Sequence, residues 1–264
     1  MDRQRIALGL VVLAATVTLA GCSAISIPGA DGTSGEPDPV DVFEGAFVHS
    51  DDLEAVSGER TMLVSDGEAT TSETVAVAER PYVEYRSEVL ESAVPDREGD
   101  VYVSNATGSW WYYPDSNVVH EYRADEPYDS DEVRAARADE ADRQADLYDV
   151  EYLGTETVAD REAHVVDVTA ANETVTEGLS LLVGDTEFVF ALETVNPEAE
   201  LEVVEQRLWI DVEYDYPLRE EVVIEDDDGT EYLLREWFES VDFEDDVDDE
   251  TFVFEPPANA TVHE

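Results

Sequence analysis

Pro81-Tyr82-Val83-Glu84-Tyr85-Arg86-Ser87-Glu88-Val89-Leu90, then Gly99-Asp100-Val101-Tyr102-Val103-Ser104-Asn105, then Ser109-Trp110-Trp111-Tyr112-Tyr113 follow one another closely in the chain. Each stretch is short, rich in β-branched and aromatic residues, and set off from the next by glycine or proline, as strands joined by turns are. The break at Pro114-Asp115-Ser116-Asn117 leads to a further strand over residues 117–122, so the reading is a meander of hairpins. Within the aromatic block, Trp110 and Tyr112 point one way and Trp111 and Tyr113 the other. A flat sheet with one wet face seldom carries aromatics on both. Either a helix covers the second face, or one face lines a concave apolar cavity.

Working outward, residues 61–64 and 73–78 read as strands. Before them Val40, Phe43 and Phe47 recur at helical spacing, with Asp38 and Asp41 near the start, where the helix dipole favours acids. On the other side, residues 129–147 are rich in Ala, Arg and Glu and lack Gly and Pro, which predicts a second helix with a thin apolar stripe. The pattern then returns to strands over 148–152, 163–168 and 201–214. In the last of these Val204, Leu208, Ile210, Val212 and Tyr214 share a face, and Trp209 falls on the polar side. Residues 222–225 and 232–238 flank Asp228-Gly229, a hairpin turn, and Phe252 and Phe254 bracket a final strand. Residues 172–195 fit a hairpin or a short helix equally.

The first 22 residues have a different character. Arg3 and Arg5 precede an apolar run from Ile6 to Ala20 that closes on Leu19-Ala20-Gly21-Cys22. That is the layout of a secretory signal cleaved to expose a cysteine for lipid attachment. A run of about 15 residues spans ~22 Å as a helix, short of a ~30 Å hydrocarbon core. The expected organisation is a signal peptide over 1–21, a lipidated Cys22 with a Pro/Gly/Ser-rich tether over 22–39, and one domain over 40–264. The chain would sit on the extracytoplasmic face of the cell membrane, anchored by lipid on Cys22. As the sole cysteine, Cys22 leaves no disulfide within one chain.

All 14 basic residues are arginine, against 67 Asp and Glu, for a formal net charge of −53. Hydrophobic residues still make up 43%, enough to build a core. Concentrated salt shortens the screening length to ~3 Å or less, so such a surface stays hydrated without strong self-repulsion. This is the composition of an extreme halophile, archaeal in type; a cation-binding or DNA-mimicking role is the sharper alternative. Nucleic-acid binding through a basic patch is excluded.

No catalytic constellation emerges, and the chain reads as a non-enzyme without cofactor or metal. His49, His120, His164 and His263 are scattered without metal-ligand spacing and read as surface or strand residues. The acidic run before Gly229 fails as a calcium loop, because Ile224 and Arg235 occupy positions that need acids. Three N-x-[ST] sequons, at Asn105, Asn172 and Asn259, are candidate glycosylation sites in an exported chain.

The three opening stretches, together with Leu208-Trp209-Ile210-Asp211, Tyr216-Pro217-Leu218 and Phe252-Val253-Phe254-Glu255-Pro256-Pro257, resemble the LolA/RseB-like superfamily over roughly residues 40–262. That superfamily includes outer-membrane lipoprotein carriers and RseB-type envelope-stress regulators. The resemblance implies a mostly β (α+β) fold: a strongly curved antiparallel sheet forming an unclosed half-barrel, with helices covering the concave side. It implies a cavity for an apolar ligand, a lipid or a lipidated protein, with Phe43 and Phe47 in the lid. Trp110 or Trp111 and the face Leu208, Ile210, Val212 and Tyr214 would form the wall. The alternative it offers is an RseB-like sensor or interaction module engaging a membrane partner. Which strand face points inward stays open.

Overall fold

The computed structural model describes residues 36–171, 178–183, 186–191, 201–226, 229–243 and 247–263. Asp38 opens helix α1 (Pro39–Val48): its carboxylate accepts the Val40 N–H at 3.0 Å, and Pro39 sits where a missing N–H costs nothing. One face of α1 buries Val42, Phe43, Ala46 and Phe47. Strands β1 (Val56–Ser65), β2 (Thr70–Arg80), β3 (Glu84–Ser92), β4 (Val101–Asn105), β5 (Gly108–Tyr113) and β6 (Val118–Arg123) form the expected antiparallel meander.

Helix α2 (Ser130–Ala145) follows, capped by Asp129, whose carboxylate accepts the N–H groups of Asp131 and Glu132. Its apolar stripe is as thin as expected: Ala141 is its buried residue. Strands β7 (Tyr148–Val158) and β8 (Arg161–Ala170) come next. Strands β9 (Gly178–Val183) and β10 (Thr186–Ala191) pair antiparallel as a separate two-stranded sheet, so the described part of the ambiguous segment is strand and not helix. Strands β11 (Leu201–Asp211), β12 (Pro217–Asp226) and β13 (Glu231–Asp242) complete a second arm, and the short β14 (Thr261–His263) lies parallel to β6.

The order β14-β6-β5-β4-β3-β2-β1-β13-β12-β11-β8-β7 makes one twelve-stranded sheet that does not close, since β14 and β7 are its free edges. Its two arms meet where β1 pairs with β13. The register slips there between Glu59 and Arg60, and Gly58 is held so close that a Cβ would fall 2.1 Å from the Ser240 carbonyl oxygen. Further irregularities at Thr74/Val75, Tyr152/Gly154 and Val203/Glu205 bend the strands. The molecule is thus the mostly β, curved and unclosed half-barrel with helices that the sequence led one to expect.

Direct cross-strand partners share a face, and the register runs Leu208↔Glu220↔Glu236↔Met62↔Glu73 across β11, β12, β13, β1 and β2. Helix α1 packs on one end of that face: Phe43, Phe47 and Ala46 meet Val166, Val168, Leu208 and Ile210 in a closed cluster, with Ala141 of α2 beside them. Leu218 and Phe238 join a second buried cluster with Val56, Val77 and Tyr216, Val222 and Ile224 form a third, and the stretch of the face on β1 to β5 is left to line the candidate site.

Three details depart from the sequence reading. Strand β11 ends at Asp211 instead of reaching residue 214. The Asp211 carboxylate accepts the N–H groups of Glu213 (3.0 Å) and Tyr214 (2.9 Å), and its backbone N–H donates to the Tyr216 carbonyl, so the chain turns. Val212 and Tyr214 therefore do not extend the face of Leu208 and Ile210, and Val204 lies within the irregularity and is exposed. Trp209 is buried on the supposedly polar side, where Arg219 covers its ring at 4.2 Å and Glu156 accepts its indole N–H at 2.9 Å. Finally, Phe252 closes a 3-10 turn (Asp249–Phe252) and Phe254 follows outside any helix or strand; the last strand begins only at Thr261.

Candidate apolar pocket

On the uncovered part of the face, the register sets Arg60 beside Val75, Val75 beside Val89, Ser87 beside Tyr102 and Tyr102 beside Trp111. Five neighbouring strands, β1 to β5, thus contribute side chains to a common surface. They enclose a cavity of about 440 Å³, within the range of small-molecule sites. Met62, Val75, Val89 and Trp111 give it an apolar wall. The rings of Tyr85 and Tyr102 are 5.8 Å apart and those of Tyr102 and Trp111 4.7 Å, so aromatic surface runs unbroken across β3, β4 and β5.

A buried polar strip separates this cavity from the helix-covered end. Arg60, 5% exposed, places Nε 2.8 Å from Glu236 Oε1 and donates from Nη2 to the Tyr85 hydroxyl at 2.9 Å. Burial works against the guanidinium charge, but Glu236, Tyr85 and Glu79 outweigh it and hold Arg60 protonated above the usual arginine range. The same burial pushes the Tyr85 phenol up, with Arg60 opposing. Glu220, also buried, accepts from Gln206 Nε2 at 2.8 Å.

At the rim, the 3-10 turn Pro95–Arg97 presents Arg97 to Glu73 (3.0 Å) and Asp100 (3.6 Å). Burial raises the Asp100 carboxyl, and Arg97 offsets part of that rise. Ser92 adds a hydrogen bond to Glu73 at 2.9 Å. Each charged group around the cavity therefore has a partner in the wall.

The candidate residues divide among several places. Trp111 lines the cavity. Trp110 points to the opposite face, where Phe254 of the C-terminal segment lies 6.4 Å from its ring and Glu121 accepts its N–H at 3.0 Å. Aromatics on both faces of β5 thus have two causes: a C-terminal strap covers one and the cavity occupies the other.

Phe43, Phe47, Leu208 and Ile210 come together as a packed core. The space left beside Phe43, Phe47 and Leu208 is about 10 Å³, barely one water. Val212 is exposed, and the Tyr214 ring packs tilted against Phe243 with centroids 4.7 Å apart. Met62, Val75, Tyr85, Val89 and Tyr102 are wall residues that sequence reasoning missed. The signal available for Tyr102 was its position opposite Trp111 in the β4–β5 hairpin.

The remaining candidates lie elsewhere. Cys22 and Asn172 fall outside the described residues. The Asn105 side chain is engaged on both sides: Nδ2 donates to the Phe252 carbonyl at 2.9 Å and Oδ1 accepts from Thr107. Asn259 is exposed in a turn with φ 68°. His49, read as a surface or strand residue, is instead buried at the end of α1, its ring 5.2 Å from that of Tyr216. Among the described residues no group of three or more His, Cys, Asp or Glu could hold a metal, and no helix is long and apolar enough to cross a membrane.

No family model matches the sequence, and no curated protein matches it. Solved structures of similar shape include an uncharacterized conserved protein from Thermus thermophilus, at 14% identity and a TM-score of 0.45, covering 85% of this chain and 95% of that one. A LolA superfamily protein from Nitrosomonas europaea aligns at 11% identity and a TM-score of 0.36, covering 83% of this chain and 99% of its own. MucB, in the Pseudomonas aeruginosa MucA/MucB complex, aligns at 14% identity and a TM-score of 0.41, covering 80% of this chain and 58% of that chain. At these scores the likenesses carry no functional weight.

Proposed function

We propose that this chain is a surface lipoprotein, tethered to the membrane through lipid on Cys22, whose half-barrel domain over 40–264 holds an apolar ligand without catalysing a reaction. The observation that carries this reading is the 440 Å³ cavity, whose two guanidinium groups are engaged by carboxylates of the wall and whose lining of Met62, Val75, Val89 and Trp111 leaves apolar surface for a guest. Burying an aliphatic chain there is worth roughly 0.8 kcal/mol per methylene before association costs are subtracted.

The residues 1–21 would then be removed on export. The tether over 22–39 would let the domain meet ligands in the membrane surface or beyond it.

Purification without detergent followed by native mass spectrometry tests the reading, with bound lipid as the expected adduct. The neutral fluorophore N-phenylnaphthylamine should also bind to stripped protein and be excluded by Val75→Trp, which fills the cavity. Protein that carries no adduct and gives no fluorophore binding would remove the reading.

A further inference from the structure

We propose that the ligand's head group is an organic cation, an ammonium carried on an apolar tail, seated against the Tyr102 and Trp111 rings. This deepens the apolar-ligand reading and rests on it. The cavity wall has two guanidinium groups, Arg60 and Arg97, and three carboxylates, Glu73, Asp100 and Glu236. Arg60 is taken up by Glu236 and Tyr85, and Arg97 is shared between Glu73 and Asp100. The wall therefore carries one negative charge in excess and offers an anionic head no cation without a carboxylate at its side.

The rings supply the attractive half of the argument. The faces of Trp and Tyr carry negative quadrupole density and draw cations, Trp most strongly. Trp111 remains 40% exposed, tilted 37° to Tyr102 with centroids 4.7 Å apart. Tyr113, 38% exposed, lines the same cavity from two residues along β5. The Trp110 and Tyr112 rings on the reverse side, by contrast, are covered by Phe254. At low ionic strength the net charge of −53 also attracts cations and repels anions, so the test is run in molar salt, where that long-range contribution is screened.

The test uses three probes with the same dodecyl tail: dodecyltrimethylammonium, dodecanoate and a dodecyl oligoethylene glycol ether. Each is titrated below its micelle concentration into the folded protein in molar salt at neutral pH, by calorimetry and tryptophan fluorescence. The ammonium probe should bind about tenfold tighter than the neutral ether, the size expected of a desolvated cation–π contact. Dodecanoate should bind most weakly. Trp111→Leu should lower ammonium affinity about tenfold while leaving the neutral ether within about twofold. Tyr113→Leu serves as the second variant and should act in the same direction.

If all three probes bind alike, or dodecanoate binds tightest, the head-group inference fails while the apolar-ligand reading stands. If none binds, both fail. An ammonium preference that persists in Val75→Trp reflects adsorption to the acidic surface and overturns the assignment to this site.

Discussion

Arg60 and Glu236 sit together where the covered and open halves of the sheet face meet, and both are almost wholly removed from water. Breaking such a pair from one side strands the surviving charge, which typically costs about 3–5 kcal/mol. Arg60→Met and Glu236→Leu should each lower the unfolding free energy by that order. The double replacement should recover part of the loss, because the pair's own charges are gone while Glu79, which also acts on Arg60, stays buried nearby. A denaturant-melt double-mutant cycle measures this; additive losses would mean the two groups act independently.

Asp215 gives the opposite case. Burial raises its carboxyl above the ordinary value, only partly relieved by His164 and His49. A raised folded pKa contributes stability that is present below the unfolded pKa and lost as pH rises through the folded one. Asp215→Asn keeps the shape and tolerates the φ of 55°. It should raise the melting temperature at neutral pH, and the gain should vanish once pH falls below both carboxyl values.

Among the elements, the seam between β1 and β13 is the least forgiving. At Gly58 any Cβ would meet the Ser240 carbonyl, whereas nothing lies within 4 Å of a Cβ at Gly67 in the β1–β2 turn. Gly58→Ala should therefore cost at least about 1–3 kcal/mol through forced backbone movement. Gly67→Ala should show only the penalty of its left-handed φ of 80°, roughly 1–2 kcal/mol. Thermal melts of the two variants make the comparison, and equal losses would show that the seam can open to admit a methyl group.

The same scale shows what the sequence revealed. Helix α1, helix α2 and the β3–β6 meander were legible because caps, periodicity and turn residues are local. The end of β11 was not. Asp211 turns the chain there while Arg161 grips its carboxylate at 2.8 and 3.0 Å from far away in sequence. The pocket wall was hidden for a related reason. Arg60, Val75, Val89 and Tyr102 become neighbours only through register, and the helices cover β8 and β11 rather than the strands that carry Trp111. Trp209 likewise looked misplaced until Arg219 and Glu156 were seen to satisfy it.

At the scale of the whole molecule the dominant quantity is the charge of −53. Glu44 shows its local consequence: slight burial and the nearby Asp142, Asp41 and Asp38 all raise its carboxyl above the ordinary value. Repeated over a surface with 67 acids and 14 arginines, such repulsion favours the expanded unfolded chain, in which the charges are farther apart. Salt and acid should therefore act as substitutes for each other. Raising ionic strength from ~0.15 M to ~1 M shortens screening from ~8 Å to ~3 Å, below the spacing of most surface carboxylates, and removes the repulsion without changing any contact. Lowering pH toward the carboxylate range removes the charges themselves. Where repulsion helps raise a folded-state value, as at Glu44, the associated stability is present below the unfolded pKa and is lost as pH rises through the folded one. In dilute buffer the melting temperature should thus climb as pH falls from neutrality toward about 5, just above the carboxylate reference values. In molar salt the same titration should be nearly flat over that interval. Calorimetric melts on a grid of pH and potassium chloride concentration give the measurement, and a fold equally stable at low salt and neutral pH would show that the surface acids repel one another too little to matter.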